Sequence, residues 1–198
     1  MIEIIKTEKS ILITYELNKI LPNEEDKDLI KRCIEEIKDN LEIRPEIKIY
    51  GRKLNQNRDI GFYSDESKGY QYSGTIAKSK PLTENLKYLL EGINKYFESE
   101  YNGILINCYN DGTQSIGKHS DDEKFLDKTG VIAISYGATR KFRIRDKQTG
   151  KIVKDLYTHS NQVIHMSGDF QKEFTHEIPV EKKVLSTRYS LTFRKHLI

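Results

Sequence analysis

The sequence predicts an α+β protein in which helices come early and strands come late. Apolar residues recur at helical spacing after two capping residues, Asn23 and Thr83, which indicates two amphipathic helices. After Asn102 the pattern changes to short runs of alternating apolar and polar residues, which is typical of strands. The length of 198 residues suits one sizeable core and is short for two. We therefore predict a single domain.

Each predicted element depends on its local pattern. The first helix has Glu24, Glu25 and Asp26 suited to its first turn and ends near Leu41. Residues 45–80 are rich in Tyr, Gly and Ser and show no long periodicity. Strands are predicted at 11–16, 104–109, 131–136, 140–145, 151–157, 162–166, 176–180 and 187–194. Strands in this order suit a double-stranded β-helix, a jelly roll of the cupin type, with the N-terminal helices packed on one sheet.

The charge is distributed unevenly along the chain. Lys and Arg number 33 against 30 Asp and Glu, so net charge alone says little about a partner. Residues 1–42 carry 11 acidic and 7 basic side chains, whereas residues 139–154 carry 7 basic and 1 acidic. A polyanion would be attracted to one face and not to the other. A solvated hairpin with many lysines explains the same charges.

The cysteines and the N-terminus point to an intracellular protein. Cys33 and Cys108 stand far apart and in no CxxC pattern, so neither a disulfide framework nor a zinc site is indicated. Charges interrupt the first six residues, where a signal peptide needs an apolar run. No stretch is long and apolar enough to span a bilayer. We expect a soluble, cytoplasmic or nuclear monomer.

Three residues have the chemistry of an iron(II) oxygenase site. Such a site uses two imidazoles and one carboxylate on one face of the metal and leaves the other positions open. Within a strand, residues i and i+2 point the same way, so His119 and Asp121 can reach one metal. His176 lies 57 residues further on, a separation that a sheet can close by folding back.

The segment 188–194, RYSLTFR, alternates with period two. A strand would place Arg188, Ser190, Thr192 and Arg194 on one face and three apolar or aromatic residues on the other. Two guanidiniums on one face suit an anion with two carboxylates, since each can bind a carboxylate bidentately.

Each pattern also has a structural explanation. His-x-Asp is common in loops, and His176 fits a partly buried histidine satisfied by a neighbour. Paired arginines on a strand are often a solvated or phosphate-facing surface. The conjunction in one order favours the metal site.

The chain resembles the AlkB family of 2-oxoglutarate and iron(II)-dependent dioxygenases, and more narrowly its nucleic-acid demethylase branch. The resemblance runs from about Tyr70 to the C-terminus and thins before it. It depends on five blocks and His176: NCYNDG at 107–112, IGKHSDDE at 116–123, SYGATR at 135–140, MSG at 166–168 and RYSLTFR at 188–194.

The resemblance implies iron(II) as the metal and 2-oxoglutarate and dioxygen as co-substrates. It implies that the iron ligands are His119, Asp121 and His176. It implies that Arg188 and Tyr109 bind the far carboxylate of 2-oxoglutarate, and that Asn107 and Arg194 hold its keto-acid end. The family often has Asn where this chain has Ser190, and a hydroxyl can still donate and accept, so we expect tuned affinity and retained activity.

The resemblance also implies a base pocket. Asp122 and Glu123 would accept hydrogen bonds from the exocyclic amine of a damaged base, although two carboxylates at a solvated strand end are the plain alternative. The stretch 70–74 would line the pocket through Tyr70, Tyr72 and Ser73, with Tyr72 stacking on the base.

Two further segments are candidates for contacts with nucleic acid. Ile49, Tyr50 and Arg52, around Gly51, look like a shortened hairpin of the kind that wedges into duplex DNA. A buried edge strand is the alternative for this segment. Arg143 and Arg145, beside the basic hairpin 147–151, would hold backbone phosphates.

Together these residues predict an oxidative demethylase that repairs N-alkylated DNA bases, such as 1-methyladenine and 3-methylcytosine. Residues 1–100 would form a helical support and nucleotide-recognition region, and residues 101–198 the catalytic core. Two alternatives remain. The same iron site could act on RNA, protein or a small molecule, or the chain could be a non-catalytic jelly roll that binds nucleic acid.

Overall fold

A computed structural model describes residues 1–49, 51–72, 75–122 and 130–196 of the chain. The α-helices are α1 (Leu29–Ile37), α2 (Glu84–Phe97) and α3 (Phe170–Glu173), and 3-10 helices cover Leu17–Lys19, Glu24–Asp26 and Lys38–Asn40. The strands are β1 (Ile2–Lys6), β2 (Ser10–Glu16), β3 (Glu46–Ile49), β4 (Arg52–Asn55), β5 (Asp59–Tyr63), β6 (Gly69–Tyr72), β7 (Thr75–Lys80), β8 (Gly103–Tyr109), β9 (Ile116–His119), β10 (Val131–Gly137), β11 (Arg140–Asp146), β12 (Ile152–Thr158), β13 (Gln162–Gly168), β14 (Phe174–Ile178) and β15 (Arg188–Arg194).

The strands form two large sheets and one hairpin. The major sheet has the order β1-β2-β13-β10-β15-β8-β5-β7-β6, and the minor sheet has the order β12-β11-β14-β9. Strands β3 and β4 pair only with each other among the described residues. Neighbouring strands are antiparallel except β5 and β7.

The two large sheets face each other across an apolar core. The major sheet contributes residues such as Leu12 and Met166, and the minor sheet contributes Phe142, Ile144 and Ile178 to the same cluster. Burying apolar surface between two sheets stabilises both of them. This arrangement is the predicted double-stranded β-helix.

Helices α1 and α2 cover the outer face of the major sheet. Their buried residues, including Ile37 and Leu89, pack against Ile106, Leu191 and Phe193 of β8 and β15. These strands therefore present apolar residues to the helices at every second position and leave the alternate positions facing the minor sheet. The predicted helix layer on one sheet is confirmed.

The first helix begins later than predicted. Asn23 makes no capping hydrogen bond and precedes a single 3-10 turn, and α1 starts only at Leu29. Thr83 does cap α2, since its side chain accepts a hydrogen bond from the Leu86 backbone N–H at 3.4 Å.

The strands between residues 51 and 80 were not predicted, and their burial explains why. All four residues of β4 are exposed, whereas all five of β5 are buried. Neither strand alternates between the two environments, so period two is absent from the sequence.

The described helices include none that is long and apolar enough to cross a membrane.

Candidate active site

The two histidines of the predicted triad lie side by side on neighbouring strands. Strand β14 pairs with β9, and His176 is the direct cross-strand partner of His119. Their rings are 4.3 Å apart between centroids. The sheet therefore closes the separation of 57 residues, as predicted from the sequence.

Asp121 is not part of a strand, so the predicted His-x-Asp strand is wrong in its last two residues. Strand β9 ends at His119. The backbone N–H of Asp121 donates to Gln171 Oε1 at 2.9 Å, and the Ser120 hydroxyl donates to the Phe174 carbonyl at 2.9 Å. These two bonds, rather than strand periodicity, direct the Asp121 side chain toward the histidines.

The triad has the geometry and donor set of a metal site. One ligand atom from each of His119, Asp121 and His176 lies within 4.8 Å of the others. The Asp121 oxygens are 3.8 Å from His119 Nε2 and 3.5 Å from His176 Nε2. His119 Nδ1 lies 2.9 Å from the Gly117 carbonyl, which assigns the proton to Nδ1 and the lone pair to Nε2. Two imidazoles and a carboxylate fit iron(II).

The electrostatics favour ligands in the protonation states that a metal requires. Burial lowers the pKa of His119, and burial together with the charge of His119 lowers the pKa of His176 to about 3. Burial alone raises the pKa of Asp121, but electrostatic interactions, with Arg194 first and then with the two histidines, outweigh it and lower that pKa. The site therefore offers neutral imidazoles and an ionised carboxylate at neutral pH.

The opposite wall of the cavity is the predicted arginine strand. Arg188, Ser190, Thr192 and Arg194 line the same cavity as the triad, whereas Leu191 and Phe193 of β15 pack into the helix layer. The predicted separation of the two faces is confirmed.

Arg188 has the properties of an anion anchor. It is only 2 % exposed, and its Nη2 donates to the Ser135 hydroxyl at 2.8 Å. Its Nε and Nη1 have no hydrogen-bond partner within the described ranges. Burial lowers its pKa to about 10, so it is still a cation at neutral pH. A buried cation with two open donors fits a carboxylate.

Other predicted co-substrate residues surround this anchor. The Tyr109 ring lies near two guanidiniums, with Arg188 at 5.5 Å and Arg140 at 5.7 Å from its centroid. Arg194 Nη2 donates to Asp121 Oδ1 at 2.5 Å. Asn107 and Ser190, which line the cavity, are cross-strand partners. Their roles toward 2-oxoglutarate remain predictions.

The predicted base-pocket residues divide into three groups. Tyr70 lines the cavity, with the Arg194 guanidinium 4.7 Å from its ring centroid. Asp122 is exposed, and Lys147 Nζ lies 2.9 Å from its carboxylate. Ser73, Glu123 and the side chain of Tyr72 lie outside the described residues.

The candidate wedge is a hairpin. Ile49 pairs with Arg52, and Gly51 has a φ of 76°, a conformation that glycine adopts without steric cost. Arg52 is exposed. Tyr50 and the side chain of Ile49 lie outside the described part of the chain.

The candidate phosphate-binding arginines are both in ion pairs. Arg143 binds the Asp155 carboxylate through Nε at 2.8 Å and Nη2 at 2.9 Å. Arg145 Nε donates to Glu177 Oε1 at 3.0 Å. A phosphate would have to compete with these carboxylates, and the phosphate role remains a prediction.

Sequence reasoning missed three residues that support the site: Arg58, Ser135 and Gln171. Each forms a hydrogen bond with a residue of the site: Arg58 with Asn107, Ser135 with Arg188, and Gln171 with Asp121. No spacing pattern marks such contacts, because each joins residues at least 49 positions apart. Ser135 alone fell inside a block of the family resemblance.

A jelly roll that holds a two-histidine, one-carboxylate triad beside a buried arginine has the architecture of a non-haem iron oxygenase. Residues 14–194 match the model of the 2OG-Fe(II) oxygenase superfamily. The chain therefore belongs to that superfamily of 2-oxoglutarate-dependent dioxygenases and, within it, to the AlkB family, whose cofactors are iron(II), 2-oxoglutarate and dioxygen.

The chain is similar to several known proteins. DNA oxidative demethylase ALKBH2 of Homo sapiens is 32 % identical over 161 residues, which cover 77 % of this chain and 61 % of that protein. The RNA replication protein of Grapevine virus A is 32 % identical over 131 residues, which cover 66 % of this chain and 7 % of that protein. The chain thus spans about three fifths of the human relative. The solved structure of OsALKBH1 has a TM-score of 0.56 at 16 % identity and covers 93 % of this chain and 97 % of its own, which supports the fold.

Proposed function

We propose that the chain is an iron(II)- and 2-oxoglutarate-dependent oxidative demethylase that repairs N-alkylated bases, such as 1-methyladenine and 3-methylcytosine, in DNA. The observation that carries the proposal is one buried cavity that combines the triad with the open donors of Arg188. The similarity to DNA oxidative demethylases supports DNA as the substrate.

The residues of the chain would bind the iron and the co-substrate, orient them, and limit the access of water. His119, Asp121 and His176 would hold the iron, which when bound supplies the oxidation of a methyl group by dioxygen coupled to decarboxylation of 2-oxoglutarate. Arg188 would hold the far carboxylate, and Arg194 keeps the Asp121 carboxylate ionised. The apolar residues of the wall, such as Met166 and Ile164, would limit the access of water to the reacting groups. In sum, one N-methyl group, dioxygen and 2-oxoglutarate give the N–H base, formaldehyde, succinate and carbon dioxide.

Asp121→Ala tests the metal site. The variant lacks the only carboxylate of the described triad, so release of formaldehyde from a methylated DNA oligonucleotide should fall below detection. Far-ultraviolet circular dichroism checks that the variant is folded, and titration with iron(II) and 2-oxoglutarate without oxygen should lose the visible charge-transfer band. Undiminished formaldehyde release would overturn the assignment.

RNA is the second candidate substrate, because a similar segment occurs in a viral RNA replication protein. Formaldehyde release measured in parallel on methylated single-stranded DNA, duplex DNA and RNA ranks the candidates. Release from RNA alone would replace DNA as the substrate. Succinate that stays at the uncoupled background on all three would favour a protein or small-molecule substrate.

The hairpin β3–β4 is the proposed wedge for duplex DNA. Tyr50→Ala removes a large side chain that lies between β3 and β4 in the sequence, so activity on duplex should fall several-fold more than activity on single strands. The duplex must be opened for the base to enter the cavity, whereas a single strand needs no wedge. Equal losses on the two substrates would exclude this role.

We also propose a domain organisation, an oligomeric state and a cellular location for the protein. Residues 1–100 form the support and recognition region and residues 101–198 the catalytic core of one domain. The protein acts as an intracellular monomer, cytoplasmic or nuclear, which size-exclusion chromatography and localisation of the tagged chain would test.

A further inference from the structure

Arg58 is a buried cation in the wall of the cavity, next to the start of β5. It is 4 % exposed and lines the same cavity as His119 and Asp121. Burying a guanidinium is costly unless it forms hydrogen bonds. A hydrogen-bond acceptor of Arg58 in this wall therefore indicates what the guanidinium does there.

The Arg58 Nε donates to Asn107 Oδ1 at 2.6 Å, and both side chains are buried. Asn107 lies on β8, between Ile60 of β5 and Ser190 of β15. A side-chain amide has one acceptor oxygen and one nitrogen with two donors. Because Arg58 engages the oxygen, the nitrogen is the atom that can donate to a molecule in the cavity.

We propose that Arg58 is a positioning residue that fixes the orientation of the Asn107 amide. In this orientation the amide nitrogen faces the carboxylate at the keto-acid end of 2-oxoglutarate. This inference rests on the proposed function, since it assigns Asn107 to that co-substrate. Without Arg58, half a turn of the amide would present its oxygen to an anion and remove a favourable contact. Arg58 thus acts through Asn107 and not by touching the co-substrate.

A double-mutant cycle tests the proposal. Calorimetric titration of 2-oxoglutarate, with manganese(II) in place of iron, measures affinity without turnover. Arg58→Met should weaken binding about tenfold, the effect expected for one hydrogen bond to a charged group. In the Asn107→Ala background the same substitution should have no further effect, because its target is gone.

Two matched variants sharpen the cycle. Arg58→Lys keeps a donor and the charge, so the Kd of 2-oxoglutarate should stay within about threefold of the wild type. Asp59→Asn alters the next residue, whose carboxylate binds Arg44 N and Asn110 Nδ2, and should leave the Kd unchanged.

Asn107→Asp gives a test that does not depend on the folding of Arg58→Met. It keeps an acceptor for Arg58 and replaces the donor with an anionic oxygen, so it should weaken binding more than Asn107→Ala. The proposal would be overturned if Asn107→Asp weakened binding no more than Asn107→Ala does. It would also be overturned by an unchanged Kd for Arg58→Met, or by the same loss of affinity from Arg58→Met in the wild-type and Asn107→Ala backgrounds. A wild type that does not bind 2-oxoglutarate would instead overturn the proposed function.

Discussion

Two pairs of arginines each lie on one face of a strand, and the structure gives the two pairs different surroundings. Arg188 and Arg194 lie on the inner face of the major sheet, 2 % and 3 % exposed. Arg143 and Arg145 lie on the minor sheet with about a quarter of each side chain exposed. Both inner arginines border the cavity, where Arg188 has two open donors and Arg194 contacts Asp121, whereas each outer arginine is in a partly exposed ion pair.

This contrast shows that a sequence pattern becomes a binding site only through what lies opposite it. An exposed arginine that is paired with Asp155 or Glu177 is largely neutralised and screened by water. A buried arginine with open donors, such as Arg188, is stabilised by an incoming anion. The contrast predicts a large effect for a substitution at Arg188 and a small effect for a substitution at Arg145.

Arg188→Met should weaken 2-oxoglutarate binding by about a hundredfold or more, because it removes two charge-assisted hydrogen bonds. Without co-substrate, the free energy of unfolding of the variant should equal that of the wild type or exceed it by up to about 2 kcal/mol, because a buried cation with open donors is gone. Calorimetry and urea unfolding measure the two effects. A variant that binds normally would remove Arg188 from the anchor.

His196→Gln should flatten the dependence of stability on pH. Burial, and then the charge of Arg194, lower the pKa of His196 to about 4 from 6.5. Its Nε2 has no hydrogen-bond partner within the described residues. Arg194, one of the inner pair, thus acts on a neighbouring titratable group, as a charge in a dry environment does.

The direction of this pH dependence follows from the number of protons that the folded and unfolded chains bind. Below pH 6.5 the unfolded chain protonates His196, but the folded chain does so only near pH 4, so stability falls as the pH drops through this window. Between pH 7 and 5 the wild type should lose about 1 to 2 kcal/mol more than His196→Gln, measured by urea unfolding. Identical losses would contradict the shifted pKa.

Arg145→Gln should have the smallest effect. Its ion pair with Glu177 is partly exposed, so the free energy of unfolding should change by less than about 1 kcal/mol. If Arg145 stays paired with Glu177 when DNA binds, the KM for a methylated oligonucleotide should stay within about twofold. If Arg145 does bind phosphate, the affinity falls uniformly across sequences and the salt dependence of binding decreases by about one ion.

The parts of the fold that follow strict periodicity could be predicted from the sequence. The helix layer follows from apolar residues at helical spacing, and the two faces of β15 follow from alternating residues. Side chains on such elements have directions that the spacing fixes. The meeting of His119 with His176 was expected from the donor set of an iron site and from the family resemblance, since β9 itself does not alternate.

The rest could not be predicted because it depends on single contacts between distant parts of the chain. Gln171, on the short helix α3, places Asp121, and Arg58 contacts Asn107 across 49 positions. Strand β5 is buried on both faces and β4 on neither, so their sequences carry no alternation. The exposed carboxylate of Asp122 pairs with a lysine that is 25 positions away.

The order of strands in the major sheet separates the proposed oxidation site from the proposed recognition elements. Strands β8 and β15, which carry the predicted co-substrate residues, have a neighbour on each side, whereas β6 with Tyr70 is an edge strand and the hairpin β3–β4 pairs with neither large sheet among the described residues. Insertions or substitutions at that rim can alter what enters the cavity without moving the interior strands. The architecture therefore permits a change of substrate by rebuilding an edge, while the oxidation site is inherited intact.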